Sequence, residues 1–478
     1  MLLTFAFTRE VTMKRIATSF SWFLATLHFT GTISALSVQA QVSRPMSNNI
    51  GSNALTQTIA QSPAVNPPNF GQALDNNQVV EAVPLIEQTW EKQYQNHLGI
   101  NFPDQSITVE EIADTLGKIT NQTGQKPGLI YMVPRPQQLE LVLITPEGKP
   151  IHKRVSAANK EALLSLVQEF IQTITHPIRR HTKDYLPVAQ QLYQWMIEPL
   201  EPYLKTQGID NLIFCLGGGL RHLPFAALHD GQEFLVEKYS LALIPAFKLT
   251  DTVYSDLKNS DVLAMGASEF NEHNSLPAVP VELSVITQYP WQGKSFLNKD
   301  FTLTNLQWQL GYHKNFQILH LATHSDFQAG KPNKSYIQFW NSKLTLYTFA
   351  ELRWHSPAVE LLVLSACQTA IGDKEAELGF AGLAVRANVK SAVASLWYVS
   401  DGGTLVLMSE FYRSLKTVPI KAEALRQAQI GMLKQKVSLA SVTDRPNVSL
   451  PPELASLNYE DLSHPYYWAA FTVVGNPW

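Results

Sequence analysis

From Asn211 onward the chain alternates short apolar runs with helix-length stretches. The runs are Leu212–Leu216, Leu241–Ile244, Val262–Met265, Ile318–Ala322, Leu361–Ser365 and Ala392–Leu396. Runs this short, largely apolar and not alternating with polar residues, suit strands buried on both faces, and the intervening helices supply the cover. The pattern therefore predicts an α/β layer built on a mostly parallel β-sheet flanked by helices. Helices are expected at Lys248–Lys258, Pro280–Gln288, Phe380–Asn388, Gly403–Leu415 and Lys421–Lys434. Open sheets of this kind bind ligands beyond the carboxyl ends of their strands.

Upstream the pattern differs. Ile86, Trp90, Tyr94 and Leu98 recur at helical spacing until Gly99, and Thr108 with Glu111 forms a capping-box signature before a second helix. Leu129–Val133 and Leu139–Thr145 read as a hairpin, followed by helical stretches Ala157–Thr175 and Leu186–Leu200. Ordered structure is expected from about Val83. Residues 41–80 hold two charges, Arg44 and Asp75, among Asn, Gln, Ser, Pro and Ala, and read as a tether that cannot bury enough surface to offset its ordering entropy.

Residues 1–40 read as an export signal. Lys14 and Arg15 precede an uncharged run from Ile16 to Leu36, and Val38-Gln39-Ala40 offers small residues for cleavage. The favoured expectation is an exported protein, periplasmic or extracellular, beginning at Gln41; retention as an anchor is the alternative, and Met13 is a second candidate start. After signal removal no stable membrane span is expected. The net charge of −3 supplies no field for a polyanion, so no nucleic acid partner is expected.

Two strands end on reactive side chains. His324 follows Ile318–Ala322, and Cys367 follows Leu361–Ser365. If these strands are parallel neighbours, thiol and imidazole emerge on one edge, as a nucleophile and its base require. The other residues of similar type read as structural. Cys215 lies inside its strand and is expected to be buried; a bridge to Cys367 is the alternative. His320 is expected to be a hydrogen-bonded core histidine. The His320/His324 spacing lacks a third ligand for a metal, and Gly217-Gly218-Gly219 lacks the lysine of a phosphate loop and reads as a turn.

Several segments in one order resemble the CHAT domain: Leu220–Leu228 (LRHLPFAAL), Leu319–Ser325 (LHLATHS), Leu362–Gly372 (LVLSACQTAIG), Gly379–Ala387, Ser395–Asp401 (SLWYVSD) and Tyr467–Gly475 (YWAAFTVVG). The resemblance implies a caspase-like and separase-like fold with a Cys/His dyad for peptide-bond hydrolysis, carried over to Cys367 and His324. Ser325 stands where the family usually has glycine. Its backbone N–H, with that of Cys367, can still serve an oxyanion hole because the donor is main chain. In separase-like relatives an acidic residue in the similar tryptophan-containing segment looks like the partner of a basic side chain, which makes Asp401 a candidate substrate-binding residue; capping of the following helix is its other reading.

The expected organisation is a signal peptide (1–40), a tether (41–80), N-terminal helices and hairpin (81–205) and a CHAT caspase-like domain (206–478). The expected function is a cysteine endopeptidase acting on a protein or peptide substrate, cleaving after basic residues, with no metal or organic cofactor. The alternative is a catalytically silent CHAT-fold protein that binds a partner. Oligomeric state is not readable from the sequence.

Overall fold

In a computed structural model of the chain, the described residues are 69–103, 105–312, 316–328, 333–349, 352, 359–365, 368–369, 374–444, 448–455 and 461–478. The expected signal lies outside them, and so does Cys367. Among them an eleven-stranded sheet carries the fold. Its strands are β1 (Pro127–Arg135), β2 (Gln138–Ile144), β3 (Ile151–Val155), β4 (Asn211–Leu216), β5 (Ser240–Ile244), β6 (Asp261–Gly266), β7 (Gln292–Leu297), β8 (Phe316–Ala322), β12 (Leu361–Ser365), β14 (Ser391–Ser395) and β15 (Phe471–Gly475). A second sheet of four short strands joins β9 (Ser325–Phe327), β10 (Tyr336–Gln338), β11 (Lys343–Thr345) and β13 (Gln368–Thr369).

The large sheet runs β3-β2-β1-β4-β5-β15-β14-β12-β8-β6-β7. It is mostly parallel, but its direction reverses between β15 and β14, which pair antiparallel. Strands β14, β12, β8, β6 and β7 are parallel to one another and end on one edge. Strands β1, β4, β5 and β15 are likewise mutually parallel and end on the other. Cys215 and the glycine turn after β4 are therefore remote from the edge beyond β8 and β12. Gly219 in that turn takes φ +93°, and a Cβ there would lie 2.4 Å from Leu164 Cδ2, so the close approach needs glycine.

All six expected strands form. β12 and β14 are buried along their whole length, as strands covered on both faces must be. The hairpin extends the main sheet, because β1 pairs in parallel with β4. β7 was not legible as an apolar run: its first four residues are exposed, as suits an edge strand.

Four expectations need correction. The helix expected over Lys248–Lys258 is absent. Only a 3-10 turn, Phe247–Leu249, forms there, because the carboxylates of Asp251 and Asp256 accept from the backbone N–H groups of Val253 and Lys258 in Asx turns that compete with a helix. The expected tether ends early: Phe70–Asp75 is helical, and Asp75 pairs with Arg135 at 2.6 Å. The helix expected over Phe380–Asn388 is two, Lys374–Ala381 and Leu383–Ala387. The single helix expected over Leu186–Leu200 ends at Met196.

Helix Val79–Leu98 is locked to the sheet by a buried carboxylate. Glu87 accepts from Tyr131 Oη at 2.8 Å and from the N–H groups of Phe247 and Lys248 at 2.9 and 3.0 Å. The expected capping box is present: Thr108 Oγ1 accepts from Glu111 N–H, and the Glu111 carboxylate accepts from Thr108 N–H. Helices Val279–Thr287 and Asp401–Leu415 pack together and follow β6 and β14, which share a carboxyl edge with β8 and β12.

Candidate active site

Four chain segments leave that edge. The loop 267–278 follows β6, His324 follows β8, β13 follows β12, and Asp401 follows β14. β8 delivers His324 because its own residues are committed to the core. His320, fully buried within it, has Nε2 2.9 Å from Glu282 Oε1 and Nδ1 3.2 Å from Tyr412 Oη, so it is the structural histidine expected.

The turn into His324 is held on both sides. Thr323 N–H donates to Ser365 C=O at 3.2 Å, Thr323 Oγ1 donates to Gln338 C=O at 2.7 Å, and Gln338 N–H donates to His324 C=O at 2.9 Å. The His324 ring then turns to the loop after β6. Its Nε2 lies 2.8 Å from Asn274 C=O, and a carbonyl can only accept, so Nε2 carries the proton. In the neutral ring, Nδ1 is then the basic nitrogen. Phe270 packs edge-on at 4.7 Å between centroids, and His273 stacks at 4.9 Å with the rings 29° apart. Burial lowers the pKa of His324; the Asn274 carbonyl opposes this and His273 adds to it. At neutral pH the ring is thus biased to its neutral, proton-accepting form.

The ladder between β12 and β8 ends with Ser365 opposite Ala322, and β13 pairs with β9 so that Gln368 stands opposite Asp326. Cys367 itself lies outside the described residues. Ser325 opens β9, is buried, and stands opposite Ile337.

Asp401 does not cap its own helix. Ser400 does so, its Oγ accepting from Gly403 N–H at 3.2 Å. Asp401 Oδ2 instead accepts from the N–H of Ala278, the residue preceding helix Val279–Thr287, at 2.5 Å. Burial raises its pKa to about 7, the Ala278 N–H opposes this, and Glu282 adds to it. Cys215 is a free, buried thiol whose pKa burial raises well above the usual cysteine range, with Glu87 adding to the rise. Four inter-strand steps, about 19 Å, separate β4 from β12, which leaves Cys215 an inert core residue.

Phe270, His273 and Asn274 had no motif to mark them. The available signal was positional: they occupy the loop after the strand that pairs with β8. Among the described residues no cluster of His, Cys, Asp or Glu is placed to hold a metal ion, and no helix is long and apolar enough to cross a membrane.

The fold resembles that of separase in the Saccharomyces cerevisiae separase–securin complex, with a TM-score of 0.50 at 10% identity over 84% of this chain and 34% of that one. This chain therefore spans about a third of that separase's length. Gingipain R, an Arg-specific cysteine proteinase, matches with a TM-score of 0.38 at 11% identity over 66% of this chain and 74% of that one. A search of curated proteins finds no match. The likeness to separase shows the caspase-like fold expected from the motifs. A family model described as the CHAT domain matches residues 186–476, well over half of the sequence, and the chain belongs to that family.

Proposed function

We propose that this protein is a cysteine endopeptidase with Cys367 as nucleophile and His324 as base. The observation that carries the reading is the pairing around the two positions. Ser365 and Gln368 flank Cys367 in sequence, and they pair with Ala322 and Asp326, which flank His324. Nδ1 of His324 would take the thiol proton, and the thiolate would attack the scissile carbonyl to give a tetrahedral oxyanion. The backbone N–H groups of Ser325 and Cys367 are the donors proposed for that oxyanion. Collapse would pass the proton from Nδ1 to the leaving amine. Water, deprotonated by the same nitrogen, would then hydrolyse the thioester.

Asp401 is proposed to select a basic residue before the cut. Its Oδ2 is engaged by Ala278, and Oδ1 would accept from an Arg or Lys entering at this edge. Export through residues 1–40 is proposed on the signal pattern alone.

The test is covalent labelling with a thiol-directed peptide probe ending in Arg. Labelling of the wild type that disappears in Cys367→Ala and persists in Cys215→Ala is the expected result. Labelling unchanged by Cys367→Ala overturns the mechanism, and no labelling of a folded wild type favours a partner-binding module.

A further inference from the structure

The loop from Ser268 to Ala278 is pinned at both ends. Ser268 N–H donates to Asn298 Oδ1 at 2.8 Å, Leu276 N–H donates back to Ser268 C=O at 2.9 Å, and Ala278 N–H donates to Asp401. Between those anchors three of its residues meet His324: the Asn274 carbonyl lies on Nε2, Phe270 packs edge-on, and His273 stacks face to face. A hydrogen bond to one nitrogen leaves an imidazole free to swing about that bond, whereas a flat ring 4.9 Å from its face resists the swing. The stacked ring is itself packed against Phe270 at 5.9 Å, and its Nε2 is buried without a hydrogen bond among the described residues. Its place is therefore set by ring packing, not by a polar partner of that nitrogen.

We propose that His273 is a positioning residue for the base: with Nε2 held by Asn274, it fixes the plane of the His324 imidazole and so keeps Nδ1 in one orientation for proton transfer. This rests on the reading of His324 as the base, and it assigns His273 no proton transfer of its own. The same stacking has an electrostatic side, since a second imidazole against the ring opposes its protonation. Among the described residues, Glu269 and Glu272 on the loop are exposed, Asp326 beyond His324 accepts from Gln328, and from the neighbouring helices Asp401 turns to Ala278 and Glu282 to His320.

Two variants separate ring packing from charge. His273→Phe keeps a flat ring and removes the imidazole nitrogens; His273→Ala removes both. In the full chain with isotope-labelled histidine, the His324 nitrogen resonances, identified by their loss in His324→Ala, report tautomer and titration without any need for hydrolysis. The expected result is an Nε2–H tautomer in wild type and His273→Phe, a mixed tautomer in His273→Ala, and titration displaced upward in both variants. In kinetics, His273→Ala should lower kcat roughly 10- to 100-fold at little-changed KM, with His273→Phe restoring most of it at alkaline pH. A His324 tautomer and titration unchanged in His273→Ala overturn the proposal. If the wild type hydrolyses nothing, or Cys367→Ala leaves hydrolysis intact, the dyad reading fails while the resonances still decide the role of His273.

Discussion

Asp401, at the start of the helix after β14, holds the backbone N–H of Ala278 at 2.5 Å, and Ala278 ends the loop whose Asn274 carbonyl holds His324. A candidate specificity residue is thus tied through one short loop to the candidate base. Asp401→Asn keeps an oxygen for Ala278 and loses the charge, so hydrolysis should persist while the preference for Arg or Lys before the cut disappears. Asp401→Ala loses the oxygen too and should also lower kcat. Peptide-library profiling of both variants checks this, and an unaltered basic preference in Asp401→Asn removes Asp401 from the specificity pocket.

The same carboxyl should make the fold less stable as pH rises. Its folded pKa, about 7, lies above the usual 3.8, so the native state holds the proton more tightly than the unfolded chain. The resulting stabilisation relative to the ionised form is full below about pH 4 and is lost as pH climbs through 7. Unfolding measured from pH 4 to 8 should show Asp401→Asn gaining on the wild type with pH, by up to about 4 kcal/mol at pH 8. A constant difference across the range contradicts this.

Cys367→Ala and His324→Ala should each abolish peptide hydrolysis. His324 is only half-buried beyond the end of β8, so its removal should change stability by no more than about 1 kcal/mol. Cys215→Ala, in the core of β4, should cost on the order of 1 kcal/mol and leave activity intact. Denaturant unfolding beside initial rates separates the three variants.

Glu140 should make the fold acid-sensitive. Its carboxylate is buried between Arg135 at 3.0 Å, Arg154 at 3.2 Å and His152 at 2.7 Å. Burial alone would raise its pKa, but the His152, Gln138 and arginine hydrogen bonds prevail and bring it down to about 2. The stabilisation is present above pH 4.5 and lost as pH falls toward 2. Glu140→Gln should cost on the order of 3 kcal/mol at pH 7 and almost nothing at pH 2 by denaturant titration.

N-terminal sequencing of protein recovered outside the cytoplasm should begin at Gln41. An intact N-terminus in a soluble cytoplasmic fraction contradicts the export proposal.

Much of the fold could be read directly because burial on both faces demands apolar runs. β8, β12 and β14 stand out in the sequence for that reason, and their order with the intervening helices already implies parallel pairing. What escaped was structure that buries little. β7 faces solvent, the short strands around His324 are two or three residues long, and the Lys248–Lys258 segment has helical composition but spends its aspartates on local turns.

The site divides in the same way. His324 and Cys367 stand out in the sequence as candidates because each lies two residues past a buried strand, and Cys215 was legible as core because it lies inside one. Sequence alone settled the family and the buried strands, since each depends on residues close together in the chain. The reversal of strand direction at β14 and β15, the loop that turns the His324 ring, and the choice of Ala278 as the partner of Asp401 were decided only by the tertiary structure. Asn274 is 50 residues from His324, and Asp401 is 123 from Ala278. No local periodicity encodes such pairings; they exist because the sheet lays β6, β8, β12 and β14 side by side with their carboxyl ends on one edge.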